Sequence, residues 1–451
     1  MVNILKSDLI VRDIYEKFES GKLEEAAHLA KQELRKNPNN PLLNYILGTF
    51  LIKKGDFSSG ILSLEKTNKL VPNKPNIKIT LANAYLNNNN YKECITLLEE
   101  VKIIEPNLLS LYYTYGNMYK KKGQLDIALK YYSKALAMHR SSEYWSREYL
   151  SKNIVKDPSY EHTFLYASQS KIEHDIEQIN YLIKNLNINF NKEKEALINV
   201  LKRWPKNIDI NKALKFDNTN YNLINKFYNK VIYLTNYKSF LGKVLNSHNL
   251  IIQDKHTLKE PLVMVIDNFL TKESINEIFK FCVESTIWFD CKESGGYLGA
   301  YMGEGFNHPI LIQLAENLVY KFPSIFKNYK LTQMWAFKYG KYNKGTRMHA
   351  DKAKINVNFW ITPDDSCKLK NLSGITIYNL KTPNDYSFFE YNQTDDLLIE
   401  LIKEKKPKKI DINYKYNRCV IFDSKLIHQT QDYEFKSGYE NRRINITMLF
   451  N

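Results

Sequence analysis

The sequence predicts a multidomain α + β protein: an α-helical superhelix, a helical connector, and a C-terminal module that is mainly β. Three observations predict it. One residue pattern returns every 34 positions through roughly residues 5–140. Helical periodicity without that step continues to about residue 258. From Pro261 onward, short β-prone runs are separated by Gly, Asn and Pro. The expected domains are 1–140, 141–258 and 259–451.

The repeats come first. Gly21, Gly55, Asn89 and Gly123 stand 34 residues apart, as do Ala26, Gly60, Cys94 and Ala128, and Pro38, Pro72 and Pro106. Gly48, Ala82 and Gly116 keep the same step. Within Leu109–Leu136 the physical logic is visible. A helix ends at the Lys-Lys-Gly turn, where Gly123 can take the left-handed conformation, and a second helix starts at once. Gly116 and Ala128 let the two backbones approach while Tyr112, Tyr115, Tyr119, Leu125, Leu129 and Tyr132 fill the space between them. A proline then closes the unit, because it cannot continue a helix. The period and these positions together resemble the tetratricopeptide repeat (TPR) family. Three to four repeats are expected, with Arg140 standing where the next proline would fall. The resemblance implies a concave face that binds a protein or peptide partner.

Residues 141–258 lose the 34-residue step but keep apolar residues three and four apart, as in KIEHDIEQINYLIKNL. The expectation is a helical connector that caps the repeat stack, whose terminal apolar face needs covering. His174, between Glu173 and Asp175, is expected on a solvated polar face rather than in a site.

The third region reads LVMVIDNFL as a strand, TKESINEIFKFCVES as a helix, and LTQMWAFKYG, INVNFWIT, GITIYNL, CVIFD and INITMLF as strands. About this many strands build a double-stranded β-helix, or jelly roll, with flanking helices. Gly295, Gly296, Gly299, Gly303 and Gly305 crowd one segment that lacks the Gly-Lys-Ser/Thr ending of a phosphate loop, so a nucleotide site is excluded and a loop over the barrel mouth is expected. The insertion Lys381–Lys409 carries a helix-like run and a Lys-rich end read as a solvated face.

Chemistry concentrates around MHADKAKINVNFWITPD. His349-Ala350-Asp351 is the single His-x-Asp among nine histidines, and on an extended backbone the two side chains point the same way. It follows one candidate strand after a turn and precedes another. His428 stands just past a later strand, and Arg443 opens the closing one. Two imidazoles and one carboxylate suit Fe(II) and leave three positions open. In this order the motifs resemble the Fe(II)/2-oxoglutarate-dependent oxygenase family, near the prolyl 4-hydroxylase-like branch, over roughly Glu260–Asn451. The resemblance implies metal ligation by His349, Asp351 and His428. It implies pairing of Arg443 with the distal carboxylate of 2-oxoglutarate, with O2 as the other co-substrate and ascorbate as a reductant in vitro. Alternation puts Arg443, Asn445 and Thr447 on one face and Arg442 on the other, an assignment that a one-residue slip would reverse. Tyr339, Asn358 and Asn445 are co-substrate candidates, with Asn356 and Trp360 on the same face as Asn358. An aspartate rather than a small residue at 351 favours hydroxylation over halogenation.

Composition narrows the rest. Net charge is +16, from 65 Lys+Arg against 49 Asp+Glu, but only nine of the cations are arginine and no compact basic tract occurs. The excess reads as drift toward Lys, Asn, Ile and Tyr, and no nucleic-acid partner is expected. Five widely spaced cysteines without a C-x-x-C pair indicate neither a disulfide framework nor a zinc site, so a reducing, cytoplasmic setting is expected. No run of about 18 apolar residues occurs, so no membrane span is expected. The function expected is hydroxylation of a protein or peptide side chain recruited by the repeats. The alternatives are a TPR-based interaction scaffold with a non-catalytic barrel, and a small-molecule hydroxylase.

Overall fold

The computed structural model describes residues 2–142, 161–235, 240–246, 251–252, 262–292, 296–340, 342–343, 345–383 and 396–451. The described chain falls into two compact units, the first reaching Ala135 and the second beginning at Leu136.

The first unit is built of α1 (Val2–Glu19), α2 (Leu23–Glu33), α3 (Pro41–Lys54), α4 (Phe57–Leu70), α5 (Pro75–Asn87), α6 (Tyr91–Ile104), α7 (Leu109–Lys121) and the start of α8 (Leu125–Arg140). Local chemistry explains the boundaries. Asn40 caps α3 by accepting from Leu43 N, with Pro41 as the first helical residue, and Asp56 caps α4 by accepting from Ser59 N. The four turn residues in register, Gly21, Gly55, Asn89 and Gly123, have φ of 83°, 90°, 63° and 75°. Each therefore makes the left-handed turn between paired helices. The small-residue series is steric: a Cβ on Gly116 would lie 2.4 Å from Tyr132 Cε1, and one on Gly48 would lie 2.9 Å from Leu64 Cγ. Helices α7 and α8 are further held by Tyr131, which stacks on Tyr115 at 4.7 Å and Tyr119 at 5.5 Å.

The second unit opens with α9 (Glu161–Leu165), β1 (Tyr166–Ala167), α10 (Gln169–Leu186), α11 (Asn191–Lys202), β2 (Leu214–Lys215) and α12 (Asn218–Ile224) around a core that includes Trp204, Phe216 and Tyr228. Then follow β3 (Ile251–Ile252), β4 (Val263–Asp267), α13 (Lys272–Glu284), β5 (Asp290–Lys292), β6 (Tyr297–Tyr301), α14 (Pro309–Lys321), α15 (Pro323–Phe326), β7 (Leu331–Tyr339), β8 (Tyr342–Asn343), β9 (Ile355–Trp360) and β10 (Ile375–Lys381). A helix at Asp396–Lys405 precedes β11 (Lys409–Ile412), β12 (Cys419–Asp423), β13 (Leu426–Thr430), β14 (Tyr433–Glu434) and β15 (Ile444–Phe450).

An eight-stranded antiparallel sheet runs β3-β4-β12-β9-β15-β7-β6-β5, and a smaller one runs β11-β10-β13. A single antiparallel bridge, His349 to His428, adds the His-x-Asp segment to the edge of the small sheet. From β7 the chain alternates between the sheets: β7 large, His349 small, β9 large, β10 and β11 small, β12 large, β13 small, β15 large. Every residue of β9 and β15 is buried, as expected of central strands covered on both faces. On the outer face Phe326 of α15 meets Phe450 at 4.7 Å, and Phe269 meets Phe359 at 5.5 Å.

Two expectations are corrected. The glycine-rich segment is not a loop from Tyr297 onward: β6 pairs with both β5 and β7, while residues 293–295 lie outside the described residues. His174 is fully buried, not solvated. Its ring lies 6.4 Å from Trp288 and 5.5 Å from Tyr439, and its Nδ1 is 2.9 Å from Asp175, which also pairs with Lys171. Burial drives the His174 pKa well below its ordinary value. The reason is tertiary: Gln178 of α10 donates to Ser285 O at 2.9 Å, pressing this face of the connector onto the end of α13.

Candidate metal centre

The His-x-Asp segment is placed by its contact with β13. Thr430 N donates to Thr346 Oγ1 at 2.9 Å, and His349 and His428 exchange backbone hydrogen bonds of 3.0 and 2.9 Å. Gly345 makes this approach feasible: it has φ of 77°, and a Cβ there would lie 2.1 Å from Thr430 O. Asp351 N is anchored to Ser424 O at 2.9 Å.

Local carbonyls orient both imidazoles. His349 Nδ1 is 2.9 Å from Arg347 O, and His428 Nδ1 is 2.9 Å from Leu426 O. An acceptor at each Nδ1 places the proton there and leaves Nε2 as a lone-pair donor, the tautomer that a metal needs. His428 Nε2 lies 3.6 Å from Asp351 Oδ2, the two rings are 4.3 Å apart, and one ligand atom from each of the three residues lies within 4.8 Å of the others. Among the described residues this is the single His/Cys/Asp/Glu cluster with such a spacing. Asn356 Nδ2 donates to Asp351 Oδ2 at 2.6 Å. Burial pushes the Asp351 carboxyl up, but the neighbouring His428 and His349 and the hydrogen bond from Asn356 outweigh it, and its pKa falls below the usual value.

The triad opens into a cavity of about 350 Å³ between the sheets. The large sheet contributes Asn356 and Asn358 from β9, Asn445 and Thr447 from β15, and Trp335, Phe337 and Tyr339 from β7. Register explains the grouping: Thr447 lies opposite Asn358 on one side and Trp335 on the other. Asn358 and Asn445 both donate to Thr447 Oγ1, at 3.2 and 3.3 Å.

Arg443 faces inward and Arg442 outward, where Arg442 Nε pairs with Glu177 at 2.7 Å. Arg443 is 1% exposed and one layer deeper than the cavity wall, with its guanidinium 4.5 Å over Tyr339 and 5.8 Å over Trp360. Its Nε donates to Ser373 O at 3.0 Å, while Nη1 has no partner among the described residues. Asn356 Oδ1, Asn445 Oδ1 and Trp335 Nε1 are also buried without partners among those residues. Such orphans are expensive unless a ligand completes them. The donor set, two Nε2 atoms and a carboxylate, fits a divalent metal. The three metal candidates line this one cavity with Tyr339, Asn358 and Asn445, whereas Arg443 is not among its lining residues and lies behind Tyr339.

Sequence reasoning missed Gly345, Thr346 and Thr430, whose pairing crosses 84 residues, and Arg347, which alternation with His349 and Asp351 could have flagged. The cysteines offer no competing nucleophile. All are free, and burial pushes Cys94 up to about 11 and Cys282 up to about 12.

Comparison with known proteins bears on the N-terminal unit. The tetratricopeptide repeat family model matches residues 109–141. Among solved structures, the chain is similar to TTC0263, a thermophilic TPR protein of Thermus thermophilus, at 19% identity over 29% of this chain and 73% of that one, with a TM-score of 0.27. It is similar to MamA at 19% identity over 42% of this chain and 90% of that one, TM-score 0.25. It is also similar to YrrB, a TPR protein with an unusual peptide-binding site, at 22% identity over 27% and 62%, TM-score 0.25. No curated protein matches the chain. Among the described residues no helix is long and apolar enough to cross a membrane. The family match over residues 109–141 and the 34-residue register of left-handed turns make the N-terminal unit a TPR array.

Proposed function

We propose that the protein is an Fe(II)- and 2-oxoglutarate-dependent dioxygenase that hydroxylates a protein or peptide side chain recruited by its TPR array. The observation that carries this is the convergence of His349, Asp351 and His428 within 4.8 Å at the mouth of a cavity between two antiparallel sheets. The alternation of strands between those two antiparallel sheets supports reading the unit as a double-stranded β-helix.

His349, Asp351 and His428 would hold the metal, and Arg443 the distal carboxylate of 2-oxoglutarate. Bound Fe(II) with 2-oxoglutarate and O2 supplies the oxidation of an unactivated C–H bond, 2-oxoglutarate leaving as succinate and CO2. The chain's own residues prepare the place. The carbonyls of Arg347 and Leu426 set both imidazole tautomers. Asn356 holds the Asp351 carboxylate against rotation. The Arg443 guanidinium is fixed behind the wall by Ser373 O and the rings of Tyr339 and Trp360, and its planar fork would suit a carboxylate that reached it. Tyr339, Asn358 and Asn445 would line the co-substrate, and the aromatic wall of Trp335 and Phe337 limits water near the metal.

The test is succinate release from 2-oxoglutarate with Fe(II), ascorbate and O2, wild type against His428→Ala. It is read beside anaerobic formation of the visible absorption band of an Fe(II)/2-oxoglutarate complex. A band and succinate in wild type, both lost in the variant, support the reading. Absence of the band in wild type overturns it and leaves the repeats as an interaction scaffold.

A further inference from the structure

Arg443 stands at a junction. It follows the 3-10 turn Tyr439–Asn441 and precedes β15, which begins at Ile444. On the strand side the barrel holds its backbone: Tyr339 N donates to Arg443 O at 2.9 Å, and the Thr362 hydroxyl bridges Arg442 O at 2.8 Å and Ile444 N at 2.9 Å. On the other side lies the turn, and the connector covers it.

Helix α10 carries His174, Glu177, Gln178 and Tyr181 at the three- and four-residue steps that a helix aligns on one face. The rings of His174 and Tyr181 pack on Tyr439 at 5.5 and 5.6 Å, and Glu177 Oε2 accepts from Arg442 Nε at 2.7 Å. From the sheet side, buried Lys338 of β7 donates to the Tyr439 hydroxyl at 2.7 Å, and that hydroxyl donates to Val283 O at 2.9 Å. The turn is thus gripped between α10 and the outer face of the sheet. The Arg442 side chain is 14% exposed, and Glu177 is the one carboxylate paired with it among the described residues. Arg442 and Arg443 are consecutive and point to opposite faces, so a backbone rotation at Arg442 turns the Arg443 side chain with it. Little else aims that guanidinium: beyond its ring contacts it makes one hydrogen bond among the described residues, Nε to Ser373 O. A fork that meets a carboxylate with two parallel hydrogen bonds tolerates little misdirection.

We propose that Glu177 is a positioning residue for the co-substrate: through Arg442 it holds the turn in the setting that directs Arg443 at the distal carboxylate of 2-oxoglutarate. Glu177 does not line the metal cavity and acts only through its neighbour. The connector is then part of the co-substrate site rather than only a cap on the repeats. This rests on the oxygenase reading.

The experiment uses the full chain with Fe(II) under anaerobic conditions. The visible absorption band is titrated with 2-oxoglutarate and with 2-oxopentanoate, an acid of the same length whose far end is a methyl group. The ratio of the two dissociation constants reads the distal carboxylate alone. Glu177→Gln should lower the preference for 2-oxoglutarate by about five- to tenfold, with 2-oxopentanoate binding, Co(II) affinity and melting temperature nearly unchanged. The exchanged pair Glu177→Arg with Arg442→Glu should recover most of the preference. An unchanged ratio in Glu177→Gln, equal weakening of both acids, or no recovery in the exchanged pair overturns the proposal. Arg443→Lys and the band itself separate the failures. If Arg443→Lys lowers the preference and Glu177→Gln does not, this inference alone falls. If neither lowers it, Arg443 is not the carboxylate anchor and the inference falls with that assignment; with no band in wild type, the oxygenase reading falls.

Discussion

The TPR array and the β-rich unit solve opposite packing problems. In the array, buried contacts join helices adjacent in sequence, and small residues such as Gly48, Gly60 and Gly116 let those helices touch. In the β unit, the central strands β9 and β15 are buried on both faces yet still carry Asn356, Asn358, Asn445 and Thr447. The array buries mainly apolar bulk at its small-residue contacts, while the β unit buries amides, a guanidinium and a carboxylate around one cavity. Stability alone does not explain the second pattern, because buried polar atoms left uncompleted, such as Arg443 Nη1 and Asn356 Oδ1, cost free energy. A site that binds something does.

The sharpest break of that comparison is at the triad. His349→Ala should abolish succinate release while the melting temperature stays near wild type, since the ring is partly exposed and its removal leaves the backbone bridge to His428 in place. Loss of folding would make the histidine a structural residue instead.

Next in size is Asp267, a buried carboxylate of the same unit that is fully paired. Arg418 reaches it through Nε at 2.6 Å and Nη2 at 3.0 Å, and Lys415 at 2.8 Å. Asp267→Asn leaves Arg418 short of its counter-charge and should cost about 3 kcal/mol of unfolding free energy. Burial would raise the Asp267 pKa, but hydrogen bonds from Arg418 and Lys415 overcome it and hold it low. A depressed folded value means the contribution is present above the unfolded value of about 3.9 and fades as pH falls through the lower folded one. Denaturation of both proteins across pH should therefore show the gap closing on the acid side. A gap that widens there would contradict the assignment.

Asn356→Ala keeps every metal ligand and removes the donor to Asp351. Metal affinity, read by titration with Co(II), should weaken by about 10- to 100-fold with little change in stability. An unchanged affinity would show that Asp351 needs no such support.

The smallest effect belongs to the array. Gly116→Ala places a methyl against Tyr132 and should cost about 1–2 kcal/mol, overpacking being partly offset by better helix propensity. Triad activity in this variant should match wild type. Coupled loss of both would mean that the two units do not fold independently.

The array was legible because its information is local: the 34-residue register falls on turn residues that all prove left-handed. The β strands that carry continuous apolar or alternating runs, β7, β9, β10, β12 and β15, were legible for the same reason. Strands β5, β6 and β13 were not, since DCK, YLGAY and LIHQT carry too little apolar pattern by themselves. His174 was misread because its neighbours in sequence are charged, while what covers it comes from Trp288 and Tyr439, more than a hundred residues away. At the site, alternation indicated which way Arg443 faces but not its depth behind Tyr339, because depth depends on which strands flank it.

Strand β15 lies between β7 and β9, which both precede it by more than eighty residues. During synthesis β7 and β9 therefore emerge with their inner edges unpaired, and β15 is the piece that fills the gap. Until it docks, the nascent unit exposes two apolar strand edges, the form of chain that holdase chaperones protect and that aggregates when they are scarce. Expression at lower temperature or with added chaperone should therefore raise the folded fraction of the β unit more than that of the repeats.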